Sequence, residues 1–369
     1  MHNPLQVLKH YWGYDGFRPG QAEVIDSILS GHDTLALMPT GGGKSITFQV
    51  PALANPGICL VVSPLVALMK DQVKNLQKRG ILSAFISSEM PHWEILQQLD
   101  NCILGDYKFL YISPERISSE LFQEKLKTLS RKVNLLVVDE AHCISQWGND
   151  FRRDYRLIAD IRDVIPHVQV IAVTASATAA VVADICEQLH FRKGYRIFKT
   201  SFERKNLSFV VRKTDNKLKE ICHILSAVPG SAVIYSRTRK GVEEYAGKLR
   251  AAGISAEYFH AGLDPVLKTE RQADWVKGFT RVLVATNAFG MGIDKGDVRV
   301  VIHTEFPDSM EAYYQEAGRA GRDGKRAYAV ALLGPQDITD IKRRPSNAFP
   351  TIEYIKRVYE ALCNRFQIA

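Results

Sequence analysis

The sequence of 369 residues contains few cysteines, and no two of them lie close together. Zinc ribbons and zinc fingers need closely spaced thiolates, and the sequence has no C-x-x-C pair. We therefore expect no zinc site in this chain, and free thiols in a reducing compartment. The cysteines are Cys59, Cys102, Cys143, Cys186, Cys222 and Cys363.

Long apolar runs are also absent. No run approaches the ~18 residues of a membrane-spanning helix, and residues 1–14 lack the apolar segment of a signal peptide. We therefore expect a cytoplasmic protein without a membrane partner. With 46% hydrophobic and 24% charged residues, the composition is that of a soluble globular chain.

The excess of positive charge is small. The formal net charge of +8 is compatible with a polyanionic partner but does not require one. Length is more informative, because 369 residues exceed what a single hydrophobic core ordinarily organises. The sequence therefore predicts two domains.

Residues 33–45, DTLALMPTGGGKS, carry the strongest local signal. An apolar strand breaks at Pro39 into a glycine-rich turn, whose backbone N–H groups can surround an anion because glycine tolerates positive φ angles. Lys44 is expected to reach the β- and γ-phosphates of a nucleotide, and the Ser45 hydroxyl to bind Mg²⁺. A helix that begins after the turn would add its positive end to this site. The predicted nucleotide-binding residues here are Thr40, Gly41, Gly42, Gly43, Lys44 and Ser45.

The turn departs from the strict G-x-x-x-x-G-K-[ST] pattern, which has glycine where Met38 stands. On this stretch alone, a glycine-rich turn beside an unrelated lysine stays an alternative. Upstream, Tyr14, Arg18 and Gln21 can fold back beside the turn. A glutamine amide suits the edge of adenine, and tyrosine and arginine stack on flat rings. The competing interpretation places these residues in a helical subdomain core.

After the turn, short apolar runs alternate with amphipathic segments. This rhythm predicts an α/β fold with a doubly wound, mostly parallel sheet, whose ligand-binding loops follow the carboxyl ends of the strands. The expected strands are 58–63, 84–86, 109–112, 135–138 and 170–173.

One of these strands ends in two acids, Asp139 and Glu140. Asp139 can hold Mg²⁺, and Glu140 can polarise the water that attacks a nucleotide phosphate. Without the glycine-rich turn, the same two acids would indicate only a solvated strand end.

Three segments together resemble a superfamily 2 helicase: MPTGGGKS, the upstream FRPGQ, and DEAH at 139–142. The following CISQWGNDFRRDY, 143–155, is similar to the aromatic-rich loop of RecQ-family DNA helicases. The resemblance runs from residue 11 to residue 334. It implies two tandem RecA-like doubly wound parallel-sheet domains with an ATP cleft between them, and ATP and Mg²⁺ as ligands. It also implies that the upstream tyrosine, arginine and glutamine bind adenine, and such helicases often lack the first glycine of the turn.

The aromatic-rich loop makes physical sense as a coupling element. Trp147 and Phe151 offer flat faces for stacking unpaired bases, and Arg152 offers a phosphate contact. The sequence departs from the family at Asn149, where histidine is usual. Because asparagine cannot carry a positive charge, we expect weaker or differently coupled DNA stimulation of hydrolysis. An Asn149→His variant with unchanged stimulation would contradict this.

Small hydroxyls end two of the expected strands, at Ser63 and at Ser113, which Arg116 follows. These groups suit contact with a sugar-phosphate backbone, and equally suit the capping of a helix. The resemblance favours DNA contact, because the family's motifs Ia and Ib fall here. Residues 174–178, TASAT, resemble motif III, with Ser176 in place of the usual threonine.

Residues 198–209 are polar and basic without periodicity, and predict an interdomain linker. A second series of strands follows, without a second phosphate-binding turn, which suggests a domain that closes over the first nucleotide site. These strands are expected at 232–235, 256–259, 282–285, 300–303 and 329–333.

Loops of this second series are expected to contact DNA or nucleotide. A Ser-Arg pair follows one strand and can grip phosphates, and YFHAGL is similar to the family's YHAGL segment. Residues 285–295 resemble motif V, whose glycines let a backbone approach nucleic acid and whose aspartate faces the ribose. The predicted DNA contacts are Ser236, Arg237, His260 and Thr286, and the predicted nucleotide contacts are Gly290 and Asp294.

Residues 315–324, QEAGRAGRDG, match motif VI closely. Arg319 and Arg322 are spaced to share one helical face and to point at one phosphate. We expect Arg322 to be the arginine finger and Arg319 a further γ-phosphate contact. A solvated basic helix is the alternative.

The predicted domains are 1–205, with the phosphate turn, DEAH and the aromatic-rich loop, 206–335, with motifs IV–VI, and 336–369, a helical extension. TIEYIKRVYEALCNRF in the extension predicts one amphipathic helix. Many RecQ relatives continue into a four-cysteine zinc module and a winged helix, which this sequence does not contain. Its end after Ala369 indicates a helicase core alone or an unusually short member.

We therefore expect a nucleoid-associated, ATP-dependent DNA helicase that couples hydrolysis to movement along single-stranded DNA and to unwinding of forked duplexes in repair and recombination. Its 3′-to-5′ direction is implied by the resemblance alone. Two alternatives stay open: an RNA helicase of similar core, and a nucleotide-dependent DNA clamp or annealing factor that binds without turnover.

Overall fold

The computed structural model describes residues 3–39, 41–145, 152–175, 177–201, 203–289, 295–348 and 351–367. The chain divides into two compact units. The first contains the described residues up to Arg204, and the second those of Lys205–Phe289 and from Lys295 onwards. Each unit is built on a parallel sheet, which confirms the α/β class. Within the described ranges, no helix is both long enough and apolar enough to cross a membrane.

The described strands of the first unit form one seven-stranded sheet. They are β1 (Thr34–Leu37), β2 (Ile58–Val62), β3 (Ser83–Ile86), β4 (Phe109–Ile112), β5 (Val133–Asp139), β6 (Val170–Thr174) and β7 (Arg196–Lys199). Their order is β3-β4-β2-β5-β6-β1-β7, and all neighbours run parallel. The carboxyl ends of the strands therefore meet at one edge, where such folds place their ligands.

Two helices precede these strands and the others connect them. They are α1 (Pro4–Trp12), α2 (Gln21–Leu29), α3 (Lys44–Ala54), α4 (Val66–Gln77), α5 (His92–Leu104), α6 (Glu120–Leu129), α7 (Ile158–Val164) and α8 (Ala179–Gln188). Side-chain oxygens of Asn3, Ser119 and Thr178 accept hydrogen bonds from first-turn N–H groups and so fix the starts of α1, α6 and α8. Short 3₁₀ turns at Ala141–Ile144 and Arg153–Leu157 lie next to the DEAH segment.

The core of the first unit has two layers, one on each face of the sheet. Leu60 and Leu136 belong to one layer, whereas Val61 and Val137 belong to the other. Because neighbouring residues of a strand point to opposite faces, central strands covered on both sides must be apolar throughout. This is why apolar runs in the sequence predicted these strands correctly.

Asp33, just before β1, is a buried charge with strong hydrogen-bond partners. Its carboxylate accepts from Arg162 Nη2 at 2.5 Å, from Arg192 Nη2 at 2.9 Å and from the N–H of Val170 at 3.0 Å. Burial alone would raise the pKa of Asp33, but the hydrogen bonds from Arg192, Val170 and Arg162 outweigh it and hold that pKa below its usual value. The entry into β1 is therefore firmly anchored.

The described strands of the second unit form a six-stranded parallel sheet. They are β8 (Leu207–Lys213), β9 (Ser231–Tyr235), β10 (Ala256–Phe259), β11 (Val282–Ala285), β12 (Val298–His303) and β13 (Ala327–Leu333), in the order β10-β11-β9-β12-β13-β8. The helices are α9 (Lys217–Ala227), α10 (Arg239–Ala251), α11 (Pro265–Lys277), α12 (Met310–Ala317), α13 (Asp337–Ala348) and α14 (Ile352–Gln367).

The segment 198–209 is only partly a connection between the units. The boundary between the units lies inside it, between Arg204 and Lys205. The edge strand β7 ends inside it and the edge strand β8 begins inside it, so the linker is shorter than predicted. At the end of the chain, α14 matches the predicted amphipathic helix, and the predicted helical extension contains a second helix, α13, before it.

Candidate functional site

The glycine-rich turn joins β1 to α3, and α3 begins at Lys44 as expected. Gly43 caps the helix with a φ of +79°, a conformation that glycine adopts without strain. A Cβ atom added to Gly42 would lie 2.9 Å from the carbonyl oxygen of Pro39, so the turn is too tight for a side chain there. The backbone and the positive end of α3 thus form the cradle that a phosphate needs. Thr40 lies outside the described residues.

Two upstream residues donate hydrogen bonds to the backbone of this turn. Arg18 Nη1 donates to the carbonyl of Gly41 at 2.9 Å, and Gln21 Nε2 donates to that of Gly43 at 3.1 Å. The Gln21 oxygen accepts from the N–H of Arg18 at 2.8 Å. Both side chains therefore lie beside the phosphate cradle, where adenine contacts were predicted. The Tyr14 side chain is 52% exposed and leaves a ring face open for stacking.

Lys44 and Glu140 form an ion pair at the centre of the site. Lys44 Nζ lies 3.3 Å from Glu140 Oε1, and the two side chains are only 15% and 13% exposed. The lysine of the turn and the glutamate after β5 are thus brought together as the sequence predicted. An ionised carboxylate at this position is a group that can accept a proton from water.

Asp139 ends β5 beside this pair. Burial, and then the charge of Glu140, raise the pKa of Asp139 to about 6, against the opposing charge of Lys44. The hydroxyl of Ser63, which was predicted to contact DNA, donates a hydrogen bond of 3.4 Å to Asp139 Oδ2. A divalent cation would relieve the repulsion between two adjacent carboxylates. The Asp139 carboxylate, and the hydroxyl of Ser45 in the first turn of α3, carry oxygen atoms of the kind that Mg²⁺ prefers.

Glu140 has a backbone conformation that glutamate rarely adopts. Its φ of +47° and ψ of +48° lie in the left-handed region, at a typical cost of about 1 kcal/mol or more. Its N–H donates to Asp139 Oδ1 at 3.0 Å, and its carbonyl accepts from the N–H of Cys143 at 2.9 Å. The turn directs the Glu140 side chain out of the strand direction and towards Lys44. No pattern in the sequence had indicated this strain.

His142 connects the DEAH segment to the next strand. Its Nδ1 lies 2.8 Å from the hydroxyl of Thr174 and 3.4 Å from Glu140 Oε2, and the ring is buried. Thr174 begins the TASAT segment that resembles motif III. A chain of polar contacts therefore runs from the carboxylate through histidine to this hydroxyl. Sequence reasoning had assigned His142 no role of its own.

The other predicted DNA contacts of the first unit have intramolecular partners. Arg116 donates to the carbonyls of Ser87, Ser88 and Met90 at 3.0 to 3.3 Å. Arg152 Nη1 donates to the carbonyl of Pro64 at 3.0 Å.

Neither strand-end hydroxyl is used as a helix cap. α4 is capped at Leu65 rather than at Ser63, and the turn after Ser113 has no side-chain cap. The Ser113 hydroxyl is buried and has no hydrogen-bond partner among the described residues. The capping alternative is therefore wrong at both positions. Trp147, Asn149, Phe151 and Ser176 lie outside the described residues.

The predicted contacts of the second unit lie at or just beyond the carboxyl ends of its strands. Ser236 and Thr286 are buried directly after β9 and β11. The guanidinium of Arg237 pairs with Asp308, and His260 Nε2 lies 2.9 Å from Glu243 Oε1. Gly290 and Asp294 lie outside the described residues.

Arg319 and Arg322 do not share a helical face, contrary to the prediction. Helix α12 ends at Ala317, and Gly321 adopts a φ of +64° between the two arginines, so the chain turns instead of continuing as a helix. Arg319 is only 8% exposed and hydrogen-bonds the side chain of Tyr235. The two guanidinium groups are therefore presented by a glycine-containing turn.

Comparisons with known proteins agree with this arrangement. Residues 18–185 match the model of the DEAD/DEAH box helicase family, and residues 216–324 match that of the helicase conserved C-terminal domain. Helicase Lhr of Mycobacterium smegmatis, solved with single-stranded DNA and AMP-PNP, aligns with a TM-score of 0.73 and 20% identity. The alignment covers 92% of this chain and 49% of that one. The fold of both units is therefore that of RecA-like helicase cores.

Two curated relatives come from Bacillus subtilis. ATP-dependent DNA helicase RecQ is 43% identical across 92% of this chain and 57% of its own length. The protein named probable ATP-dependent DNA helicase RecS is 40% identical across 90% of this chain and 67% of its own length. The chain thus spans little more than half of the RecQ relative. Similarity of this level over nine tenths of the sequence shows that the chain belongs to the RecQ family of superfamily 2 helicases.

Proposed function

We propose that this chain is the motor of an ATP-dependent DNA helicase, which hydrolyses ATP and moves 3′ to 5′ along single-stranded DNA, unwinding forked duplexes. The observation that carries the proposal is the approach of Lys44 to Glu140 beside Asp139. The names of the RecQ-type relatives support DNA as the substrate. In this proposal, residues 1–205 and 206–335 are the two motor domains and 336–369 an extension. DNA repair and recombination are the proposed setting, with the protein at the nucleoid.

The first unit would bind the nucleotide and activate water. Lys44 and the N–H groups of the glycine-rich turn bind the phosphates, while Ser45 and Asp139 would hold Mg²⁺, which supplies positive charge at the phosphate oxygens. Glu140 orients the attacking water and accepts its proton. Tyr14, Arg18 and Gln21 would bind adenine.

Arginines of the second unit would complete the reaction. Arg322, together with Arg319, supplies positive charge that offsets the charge growing on the γ-phosphate during hydrolysis. Gly290 and Asp294 would lie next to the nucleotide.

Several residues would hold DNA. Stacking on aromatic rings and hydrogen bonds to phosphates give binding without sequence preference, as a translocating motor requires. The proposed contacts are Ser63, Ser113, Arg116, Trp147, Phe151, Arg152, Ser236, Arg237, His260 and Thr286.

The test is the rate of ATP hydrolysis with and without a short single-stranded DNA, alongside unwinding of a forked duplex. We expect strong DNA stimulation, loss of activity in Glu140→Gln, and normal activity in Glu124→Gln, which changes an exposed glutamate of α6. Hydrolysis that survives Glu140→Gln would overturn the mechanism. Equal stimulation by single-stranded RNA would favour an RNA helicase, and tight ATP binding without phosphate release would indicate a clamp.

A further inference from the structure

Tyr155 is a fully buried side chain next to the hydrolytic site, and the mechanism above does not use it. It lies in the 3₁₀ turn Arg153–Leu157 and belongs to the core layer that also contains Ala141 and Cys143. Its hydroxyl donates a hydrogen bond of 2.9 Å to the main-chain carbonyl of Asp139. The hydroxyl of this buried side chain is thus hydrogen-bonded to the first residue of the DEAH segment.

The carbonyl that Tyr155 contacts belongs to the peptide group between Asp139 and Glu140. This peptide group is planar and moves as a rigid unit. When it rotates about the N–Cα bond of Glu140, the φ angle of Glu140 changes. That angle is +47°, in a region that non-glycine residues occupy only when surrounding contacts hold them there. The hydrogen bond from Tyr155 therefore acts on the torsion that directs the Glu140 side chain.

The turn that carries Tyr155 is itself attached to the DEAH segment. The N–H of Arg152 donates to the carbonyl of Cys143 at 2.8 Å, and the N–H of Tyr155 donates to the carbonyl of Arg152 at 3.0 Å. The backbone before Tyr155 is thus hydrogen-bonded to Cys143, just after the DEAH segment, while the Tyr155 hydroxyl is hydrogen-bonded to Asp139, the first residue of that segment. This arrangement leaves the hydroxyl little freedom to move away from Asp139.

The Tyr155 hydroxyl keeps its proton and so remains a hydrogen-bond donor. Burial raises the pKa of Tyr155 well above its ordinary value, and the nearby Cys143 and Asp139 raise it further. The hydroxyl therefore keeps its proton at every pH at which hydrolysis would be measured. Replacement by phenylalanine would keep the ring in the core and remove only the donated hydrogen bond.

We propose that Tyr155 is a positioning residue for Glu140: its hydroxyl holds the Asp139–Glu140 peptide group so that the Glu140 carboxylate faces the attacking water. The inference rests on the proposed role of Glu140 in hydrolysis. Because the hydrogen bond orients a group that acts on water, its loss slows the chemical step without weakening nucleotide binding.

The test compares Tyr155→Phe with Tyr111→Phe. Tyr111 is a matched control, because it is also fully buried in the first unit and its hydroxyl accepts a hydrogen bond from the side chain of Gln49, at 3.3 Å. For Tyr155→Phe we expect kcat to fall about three- to tenfold, the range that one hydrogen bond supplies. The KM for ATP and the Kd for a non-hydrolysable ATP analogue stay at their wild-type values, and Tyr111→Phe changes none of these constants.

A second comparison separates this inference from the proposed function. In a Glu140→Gln background, the residual hydrolysis measured under single-turnover conditions should not fall further when Tyr155→Phe is added, because Tyr155 acts through that carboxylate. A wild-type kcat in Tyr155→Phe, a KM that rises as much as kcat falls, or a further loss in the double variant would overturn the inference. Wild-type hydrolysis in Glu140→Gln alone would instead overturn the proposed function, whatever Tyr155→Phe does.

Discussion

The Lys44 ammonium lies 3.3 Å from the Glu140 carboxylate, although 96 residues separate the two in the chain. The contact joins the first residue of α3 to the residue that follows β5. Asp139 carries a second carboxylate beside it, and the charge of Lys44 lowers the pKa of Asp139 against burial and the charge of Glu140, which raise it. Lys44 therefore stabilises two neighbouring negative charges before any ligand binds.

Replacing Lys44 should destabilise the protein in a pH-dependent way. We expect Lys44→Met to lower the free energy of unfolding at pH 7.5 by about 1–3 kcal/mol, because two largely buried carboxylates lose their nearby cation. At pH 5 the loss should be smaller, since protonated Asp139 no longer repels Glu140. Urea unfolding without nucleotide at both pH values measures this. Lys125→Met removes the more exposed pair with Asp100 and should cost little at either pH. Equal losses for Lys44→Met at both pH values would contradict this account.

Hydrolysis should depend on the ionisation of Asp139. Burial and then the charge of Glu140 raise the pKa of Asp139 to about 6 in the free protein. Because the protonated acid cannot hold Mg²⁺, kcat/KM for ATP should be constant above this pKa and fall as pH falls through it. Higher Mg²⁺ should move the midpoint to lower pH, because metal and proton compete for the same carboxylate. A midpoint near pH 4 that Mg²⁺ does not move would show that Asp139 is not the titrating group.

The phosphate cradle should not tolerate a methyl group at Gly43. A Cβ atom there would lie 2.4 Å from Gln21 Nε2, in addition to the strain of an alanine at a φ of +79°. Gly80→Ala is a matched control, because Gly80 has a φ of +75° and open space around its added Cβ. Both variants should lose about 1 kcal/mol of stability. Only Gly43→Ala should also weaken ATP binding, because it displaces the amide of Gln21, and we expect its Kd for ATP to rise about tenfold or more. Calorimetric titration with an ATP analogue distinguishes them.

Arg116 should contribute to stability in addition to its proposed DNA contact. Its guanidinium donates to three carbonyls of the segment that follows β3, so Arg116→Ala should cost about 1–2 kcal/mol. Thermal unfolding measures the loss, and Arg131→Ala, at an exposed position, should be close to neutral. If Arg116→Ala instead keeps full stability but loses affinity for single-stranded DNA, its guanidinium is primarily a phosphate contact.

The strands that sequence patterns predicted are buried or half-buried throughout, including the edge strands Ser83–Ile86 and Ala256–Phe259. Apolar runs such as 58–63 and 135–138 could be recognised because water is excluded from both sides of these strands. The two strands that were missed, Arg196–Lys199 and Leu207–Lys213, lie at sheet edges and are largely exposed. Both missed strands carry lysine and arginine on exposed positions, so their composition is that of a polar connection.

The site was predictable where its chemistry is local. The glycines before Lys44 form one recognisable motif, and the two acids at a strand end form another. Each motif consists of consecutive residues, so a short sequence pattern records it completely. The strained backbone of Glu140 and the hydroxyl of Tyr155 depend on contacts across 16 residues, which no short pattern records. The helical face expected for the motif VI arginines was wrong, because spacing alone does not show that the helix ends at Ala317.

All paired strands in the described part of both units run parallel, so the segments that enter the strands lie at the edge opposite the motifs. Gly80, Gly194 and Gly253 fall in such segments, and a Cβ atom added at any of them meets nothing within 4 Å. The exposed neighbours Arg79, Lys193 and Ala252 are therefore attachment points for fluorescent dyes or surface tethers. A protein labelled there could be followed at the single-molecule level without altering the residues proposed to bind nucleotide and DNA.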